Sequence, residues 1–489
     1  MFSMPFFVVL PLFGAFLITF LNSVVSNKKI RYFLNDFFAV LFTGVLFALS
    51  FFTIGKKGVY YIGGWVPPFG INFVLDGLSS LMLVVINLIS FCATVFSIDY
   101  MKQYTAKRYY YALFLLMVAG MNGVVLTGDF FNLFVFIEIA SISSYALVAF
   151  GTEAEELEAS FKYMVMGCLA TVFILFGIAI LYSKFGILNM ILISKELTGG
   201  VDPLTKFAFF LLVIGFFIKA AVVPFHAWLP DAHPSAPAPV SAMLSGVLIK
   251  SLGVYALVRI SFSVFSFEAS LPLAYLGIIS MIVGVLLALG QMDIKRLLAY
   301  HSISQIGYIL LGLGIGTPLG IIGGLFHLIN HSIFKSLLFL NSGAIFYRTK
   351  TRNLEEMGGL HNVMPVTGTT SLAASLSISG LPPFNGFFSK LIIILACVEA
   401  QHYVFAIWAI VGSILTLASF TKVQKFAFYG ENKNWRNIKE VPFFMCFAMV
   451  FLALLCLLTS LLLLPYFKEA FLLPAQKALD IGEYIGLLK

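Results

Sequence analysis

Five ionisable residues stand alone inside long apolar stretches of this 489-residue chain: Glu138, within 129–150, and Lys219, Lys250, Lys335 and Lys390 further along. An ionised group at a bilayer centre costs about 2.5–3.5 kcal/mol even on the mildest insertion scale, so several in one chain demand a use. If each stretch crosses a membrane, the middle of each lies near the midplane, whichever way its helix runs. The five are therefore expected to share one depth and to form a polar axis through the membrane.

Two imidazoles join them. His327, His331 and Lys335, in HLINHSIFK, follow one another at i, i+4 spacing and so share one helical face. Two histidines so spaced can bind zinc, but the glutamate of a zinc-protease motif is missing and no carboxylate is near in sequence, so no metal site is expected. A proton relay fits better, because imidazole titrates near neutral pH and an amine kept from water surrenders its proton more readily. The plainer alternative has the histidines merely bonding neighbouring helices and Glu138 and Lys219 forming a static ion pair. Such a pair rarely stabilises more than apolar packing would.

The elements that must hold these residues are membrane helices. The chain is 60% hydrophobic, 16% aromatic and only 11% charged, with a mean hydropathy of +1.00, which excludes a soluble globular class. Apolar spans fall near 5–25, 33–54, 72–97, 109–127, 129–150, 161–183 and 207–228. More follow near 238–261, 271–290, 297–316, 320–346, 368–398, 403–421 and 442–465. That makes about fourteen transmembrane helices in an all-α polytopic protein. The first span reads as a true span and not a cleaved signal, since it lacks a basic leader and carries Pro5 and Pro11. Cys92, Cys168, Cys397, Cys446 and Cys456 lie singly inside spans and read as small core residues, with neither disulfide nor iron-sulfur cluster expected. The run Gly312, Gly314, Gly316, Gly320 follows no strand and reads as a tight inter-helix turn, not a dinucleotide loop. No cofactor is expected.

The net charge of +8 is distributed topologically. Lys28, Lys29, Arg31, Lys102, Lys107, Arg108, Lys295, Arg296, Arg348, Lys350, Arg352, Lys422, Lys425, Lys433, Arg436 and Lys439 fall on or beside odd-numbered connections. Even-numbered connections carry chiefly Lys56, Lys57, Lys184, Lys195 and Lys206. The positive-inside rule puts the odd connections in the cytoplasm and both termini outside, and no nucleic-acid partner is expected.

Spans 7 and 12 are interrupted. Span 7 runs into GFFIKAAVVPFHAWLPDAHPSAPAPVSAML, with Pro224 just beyond Lys219, and span 12 contains SISGLPPFNGFFSK, with Pro382 and Pro383 just ahead of Lys390. An interior proline removes a backbone hydrogen bond, so each should split into half-helices, tolerated at membrane depth only where protein or water satisfies the freed groups. Paired interrupted spans five helices apart predict two inverted five-helix repeats. The expected divisions are 1–105 (helices 1–3), 106–262 (helices 4–8), 263–430 (helices 9–13) and 431–489 (helix 14 and tail), inferred from layout with no residue identity between halves.

The stretches DFFNLFVFIEIASISSYALVAF (129–150), KAAVVPFHAWLPDAHPSAPAPVSAMLSGVLIKSLGVYALVR (219–259), QMDIKRLLAYHSISQIGYI (291–309), FHLINHSIFKSLLFLNSGAI (326–345) and SGLPPFNGFFSK (379–390) resemble the antiporter-like subunits. These are shared by Mrp-type sodium/proton antiporters, the membrane arm of complex I and membrane-bound hydrogenases, and the likeness covers roughly residues 70–430. The resemblance implies that Glu138 pairs with Lys219 and that Lys250 is the connecting lysine. It implies that His327, His331 and Lys335 form the polar eleventh-helix face and that Lys390 ends the proton-translocating axis. Asp129 and Asp76 are weaker candidates, for access or as interfacial anchors.

The chain ends soon after span 14 and has Lys390 where one complex I class has glutamate, a pattern most similar to the D-type component of Mrp antiporters and its hydrogenase relatives. Three readings follow from the resemblance. The first is a D-type subunit of a multisubunit sodium/proton antiporter, with other membrane subunits, protons and sodium as partners. The second is the matching subunit of a redox-driven pump, with no redox chemistry of its own. The third is a mainly structural subunit. Sodium sites use oxygen ligands, and the carboxylates here are too sparse to build one visibly.

Overall fold

The computed structural model describes residues 4–104, 106–266, 270–430, 435 and 438–488. Lys433 and Arg436, two of the basic residues on the odd connections, lie outside them.

Helices α1 (Phe6–Val24) and α2 (Lys28–Phe51) turn about Asn27, whose side chain accepts from the Lys29 and Ile30 amides. The third span starts later than expected. Residues 72–75 form not helix but strand β2 (Asn72–Leu75), paired antiparallel with β1 (Gly58–Tyr61) in the register Gly58 to Leu75. Asp76 then caps α3 (Gly77–Tyr100) through the Ser79 amide at 2.9 Å. An N-cap aspartate outweighs the apolar run before it, because it satisfies an amide that the first helical turn leaves free.

Next come α4 (Lys107–Leu126), α5 (Phe130–Val148), α6 (Ala154–Phe185), the short α7 (Met190–Leu197) and α8 (Pro203–Ala220). A short α9 (Leu229–Ser235) leads to α10 (Ala238–Met243), which continues as π-wound Leu244–Tyr255, one α turn α11 (Ala256–Val258) and π-wound Arg259–Val264. Then follow α12 (Ser270–Leu289), α13 (Ile294–Gly314), α14 (Pro318–Thr349), α15 (Pro365–Ser379), α16 (Asn385–Glu399), α17 (Tyr403–Val423) and α18 (Phe443–Leu458). The short α19 (Pro465–Phe467), α20 (Leu473–Lys477) and α21 (Ile481–Ile485) end the chain.

Thirteen helices among the described residues are long and apolar enough to cross a membrane, and α15 with α16 makes a fourteenth crossing in two pieces. The span Ala238–Val264 is buried almost throughout, as are α13 and α14, whereas α1 and α18 turn apolar side chains outward. The lysine- and histidine-bearing helices thus form the centre. Gly312 and Gly314 lie inside α13, not in a turn as expected; a Cβ on Gly312 would stand 2.8 Å from the Gly324 amide, so that glycine permits close packing of α13 on α14. Gly316, at φ +72°, serves the turn itself. Cys168 also departs from expectation, facing outward while Cys92, Cys397 and Cys456 are buried; all five cysteines are free.

One motif occurs twice. Asp129 caps α5 and bridges to Asn189, which caps α7. Asp293 caps α13 and bridges to Asn353, which caps the helical turn Leu354–Glu356. The backbone bonds match: Phe130 and Met190 amides to the Leu188 and Gly128 carbonyls at 2.9 and 2.8 Å, and Ile294 and Leu354 amides to the Arg352 and Met292 carbonyls at 3.0 and 2.9 Å. Each corner joins the start of a span to the end of the next one, and by crossing parity the two lie at opposite faces.

Both expected breaks are present. After Lys219 and Ala220 the chain turns at Ala221, φ +54°, and after Ser379 at Gly380, φ +76°. The freed groups find partners, as burial requires. The Trp228 indole donates to the Ile218 carbonyl at 3.0 Å, Ser413 Oγ to the Ser379 carbonyl at 2.9 Å, and Lys390 Nζ to the Ile378 carbonyl at 2.7 Å.

Candidate functional site: a buried line of amines and imidazoles

Lys219, at the last turn of α8, is 5% exposed. Its Nζ donates to Ser141 Oγ at 2.9 Å and reaches the Tyr145 hydroxyl at 3.5 Å. Both lie on α5, one and two turns beyond Glu138, on its face. Glu138 is half-buried, and its Oε1 has no protein partner. The two charges act on each other without forming an ion pair within 4 Å, so the direct pairing implied by the resemblance is replaced by a gap lined with Ser141. A static ion pair is therefore not what holds Lys219.

Lys250 is fully buried in the π-wound segment, and its Nζ donates to the Ser245 and Gly246 carbonyls at 2.6 and 2.8 Å. The wide winding exposes carbonyls that an α-helix would use internally, which is how this ammonium is solvated by its own helix. On α14, Lys335 has a buried Nζ without a hydrogen-bond partner, 5.6 Å above the Phe339 ring. Lys250, Lys335 and His331 lie close enough for their charges to interact.

The expected α14 face is present. The His327 and His331 rings stack at 6.3 Å. His327 is tied at both nitrogens, to Ser389 Oγ at 2.9 Å and Gln305 Oε1 at 3.1 Å, whereas neither nitrogen of His331 has a partner. Tyr308 packs on His327 at 5.5 Å, and its ring also lies 4.7 Å beneath the Lys390 ammonium. Lys390, 3% exposed, completes the line beside the second break. Buried polar atoms normally have partners. Within this line Glu138, Lys335 and His331 carry unpartnered atoms, and the line has groups able to take up and release protons at each step.

The weaker candidates have structural places. Asp129 accepts from the Asn132 amide at 2.9 Å; partial burial raises its carboxyl's pKa, opposed by that bond. Asp76 caps α3 and meets Arg259 at 2.7 Å in a buried ion pair, with the Tyr484 ring 5.1 Å from the guanidinium. Ser141, Tyr145, Gln305, Tyr308 and Ser389 were not anticipated; no charge marks them in the sequence, and only their contacts single them out. Among the described residues no group of three or more His, Cys, Asp and Glu could hold a metal ion.

A multi-pass membrane protein whose spans are all helical, with two of them broken and a buried row of amines, belongs to the class of antiporter-like subunits. Residues 127–416 match the family described as "NADH:quinone oxidoreductase/Mrp antiporter, TM", and 65–111 match "NADH-Ubiquinone oxidoreductase (complex I), chain 5 N-terminus"; the chain belongs to this family. It is 37% identical over 426 residues to the N subunit of the NADH-quinone oxidoreductase of Desulforudis audaxviator, covering 85% of this chain and 84% of that one. It is 35% identical over 437 residues to the D subunit of the Na(+)/H(+) antiporter of Alkalihalophilus pseudofirmus, covering 87% and 88%. A chain in the structure of the Mrp complex from Dietzia sp. DQ12-45-1b superposes with a TM-score of 0.89 at 29% identity, covering 99% of each.

Proposed function

We propose that this chain is the ion-translocating, D-type subunit of a multisubunit sodium/proton antiporter and moves protons along Glu138, Lys219, Lys250, Lys335, His331, His327 and Lys390. The observation that carries the reading is the clustering of buried, partly unpartnered titratable groups between two helix breaks. A proton arriving at one amine raises the cost of charge on its neighbours, so charge moves stepwise; at an effective dielectric of about 20, two charges about 4 Å apart interact by about 4 kcal/mol. The twin Asp–Asn corners support a division into repeats at 106–262 and 263–430, flanked by 1–105 and 431–489. The basic residues of the odd connections support a cell-membrane setting with both termini outside. Other membrane subunits and lipid complete the protein's surroundings, and sodium is the ion exchanged.

Glu138→Gln and Lys219→Ala should each abolish exchange in inverted vesicles while leaving the assembled complex, followed by native gel, at normal level, since removing midplane charge eases insertion. Full exchange by either assembled variant would overturn the assignment. A second reading, a pumping subunit of a redox-driven complex, is favoured by the 37% identity to a NADH-quinone oxidoreductase subunit. Co-purifying chains separate the two: small membrane subunits alone, or iron-sulfur and quinone-binding chains besides.

A further inference from the structure

At the face where spans 5 and 6, 9 and 10, and 11 and 12 join, a charged cleft of about 330 Å³ is lined by Glu155, Asp231, Asp293 and Arg352, with Pro234 and Ser235 among its walls. One residue inward lies His233, fully buried, with neither ring nitrogen partnered. Its backbone, by contrast, is cinched from several sides. Lys295 Nζ donates to the Ala236 carbonyl at 2.5 Å, Arg352 Nη1 to the Pro234 carbonyl at 2.6 Å and Ser241 Oγ to the His233 carbonyl at 2.8 Å. A buried imidazole with two free nitrogens is costly to keep.

The ring points to the axis. It packs on Phe339 at 5.0 Å, and Phe339 is the ring beneath the Lys335 ammonium. The charged groups acting on it are Lys335 on α14, Lys250 on the π-wound span and Lys295 on α13. His301, by comparison, is tied to Ser419 Oγ at 2.8 Å, and His327 is tied at both nitrogens.

We propose that His233 is a side inlet to the translocation axis, carrying protons from the charged cleft to its middle, at Lys335 and Lys250; this rests on the translocation reading above. A proton from cleft water adds to one ring nitrogen, the other nitrogen releases its own proton toward Lys335, and a ring turn restores the starting tautomer. Lys295 and Arg352 are positioning residues, fixing the 234–236 carbonyls so that only the imidazole moves.

The test uses the assembled complex in vesicles, with the five native cysteines changed to alanine and His233→Cys introduced. A small cationic methanethiosulfonate should label position 233 from the cleft side and not from the other. His233→Phe, which keeps the packing on Phe339 but cannot carry a proton, should slow exchange per assembled complex about tenfold or more. No labelling from the cleft side, or a normal rate for His233→Phe, overturns the inlet. Lys250→Met separates the two failures: a normal His233→Phe beside an inactive Lys250→Met sinks the inlet alone, whereas a fully active Lys250→Met sinks the axis and the inlet with it.

Discussion

Gly253 offers a way to displace the axis without touching a charge. It lies three residues beyond Lys250, and a Cβ there would stand 2.6 Å from N, Cα and Cβ of Ala220, the residue after Lys219. Carbon contacts settle at about 3.5–4.0 Å, so Gly253→Ala is roughly 1 Å too close to backbone that has no rotamer to change. The end of α8 must give way by about that much, carrying Lys219 from Lys250. Overpacking of this kind costs about 1–3 kcal/mol, and a misplacement of about 1 Å at a reacting centre slows a step by about a hundredfold. Exchange per assembled complex, measured in inverted vesicles with the complex quantified by native gel, should fall by about ten- to a hundredfold while the complex still assembles. Gly290→Ala is the control, because its Cβ would meet only the Leu287 carbonyl, at 3.9 Å. A Gly253→Ala complex with normal rate and normal pH profile would refute the idea that the distance from Lys219 to Lys250 sets turnover.

Other substitutions probe the remaining parts. Lys390→Ala should stop exchange, and Lys390→Arg should impair it too, because a guanidinium does not release its proton at working pH; a fully active arginine variant would show that position 390 needs only charge. Pro382→Ala with Pro383→Ala should lower the exchange rate more than the amount of complex, and Pro224→Ala should do so more mildly, since a healed helix closes the gap that the lysine shares; unchanged rates across pH would make the breaks mere packing features. Asp76→Leu should cost about 3–5 kcal/mol by leaving the buried Arg259 guanidinium unpaired, read as faster thermal loss of the complex. Adding Arg259→Met should restore most of that, and no recovery would mean that the pair is not what secures the start of α3 against the C-terminal helices.

The spans, the two breaks and the α14 face were legible because each has a one-dimensional signature: apolar length, proline, and i, i+4 spacing. Lone charges in apolar runs pointed to Glu138 and four lysines on the same ground. What stayed hidden depends on who faces whom. Ser141 and Tyr145 look like ordinary α5 residues until Lys219 arrives from α8, and His233 sits in a proline-rich stretch that gives no hint of an unpartnered ring. The β1–β2 hairpin was missed because Asn72–Leu75 continues the apolar run of α3, and only the Asp76 cap divides them. Layout alone suggests the repeat, yet Asp129 with Asn189 and Asp293 with Asn353 do carry residue identity; a single matched residue at each end of two dissimilar helices is invisible without the bridge that joins them.

Those two corners have a mechanical meaning. At each, two helix starts are locked by reciprocal backbone bonds and side-chain caps, so the helices they join cannot part there without losing several bonds at once. A rigid body held at one end moves most at the other. The Asp129–Asn189 corner ties spans 5 and 6 at one membrane face, and the Asp293–Asn353 corner ties spans 10 and 11 at the opposite face. Any tilt of the helices so joined is then smallest at the corners themselves and largest in travel at the face away from each.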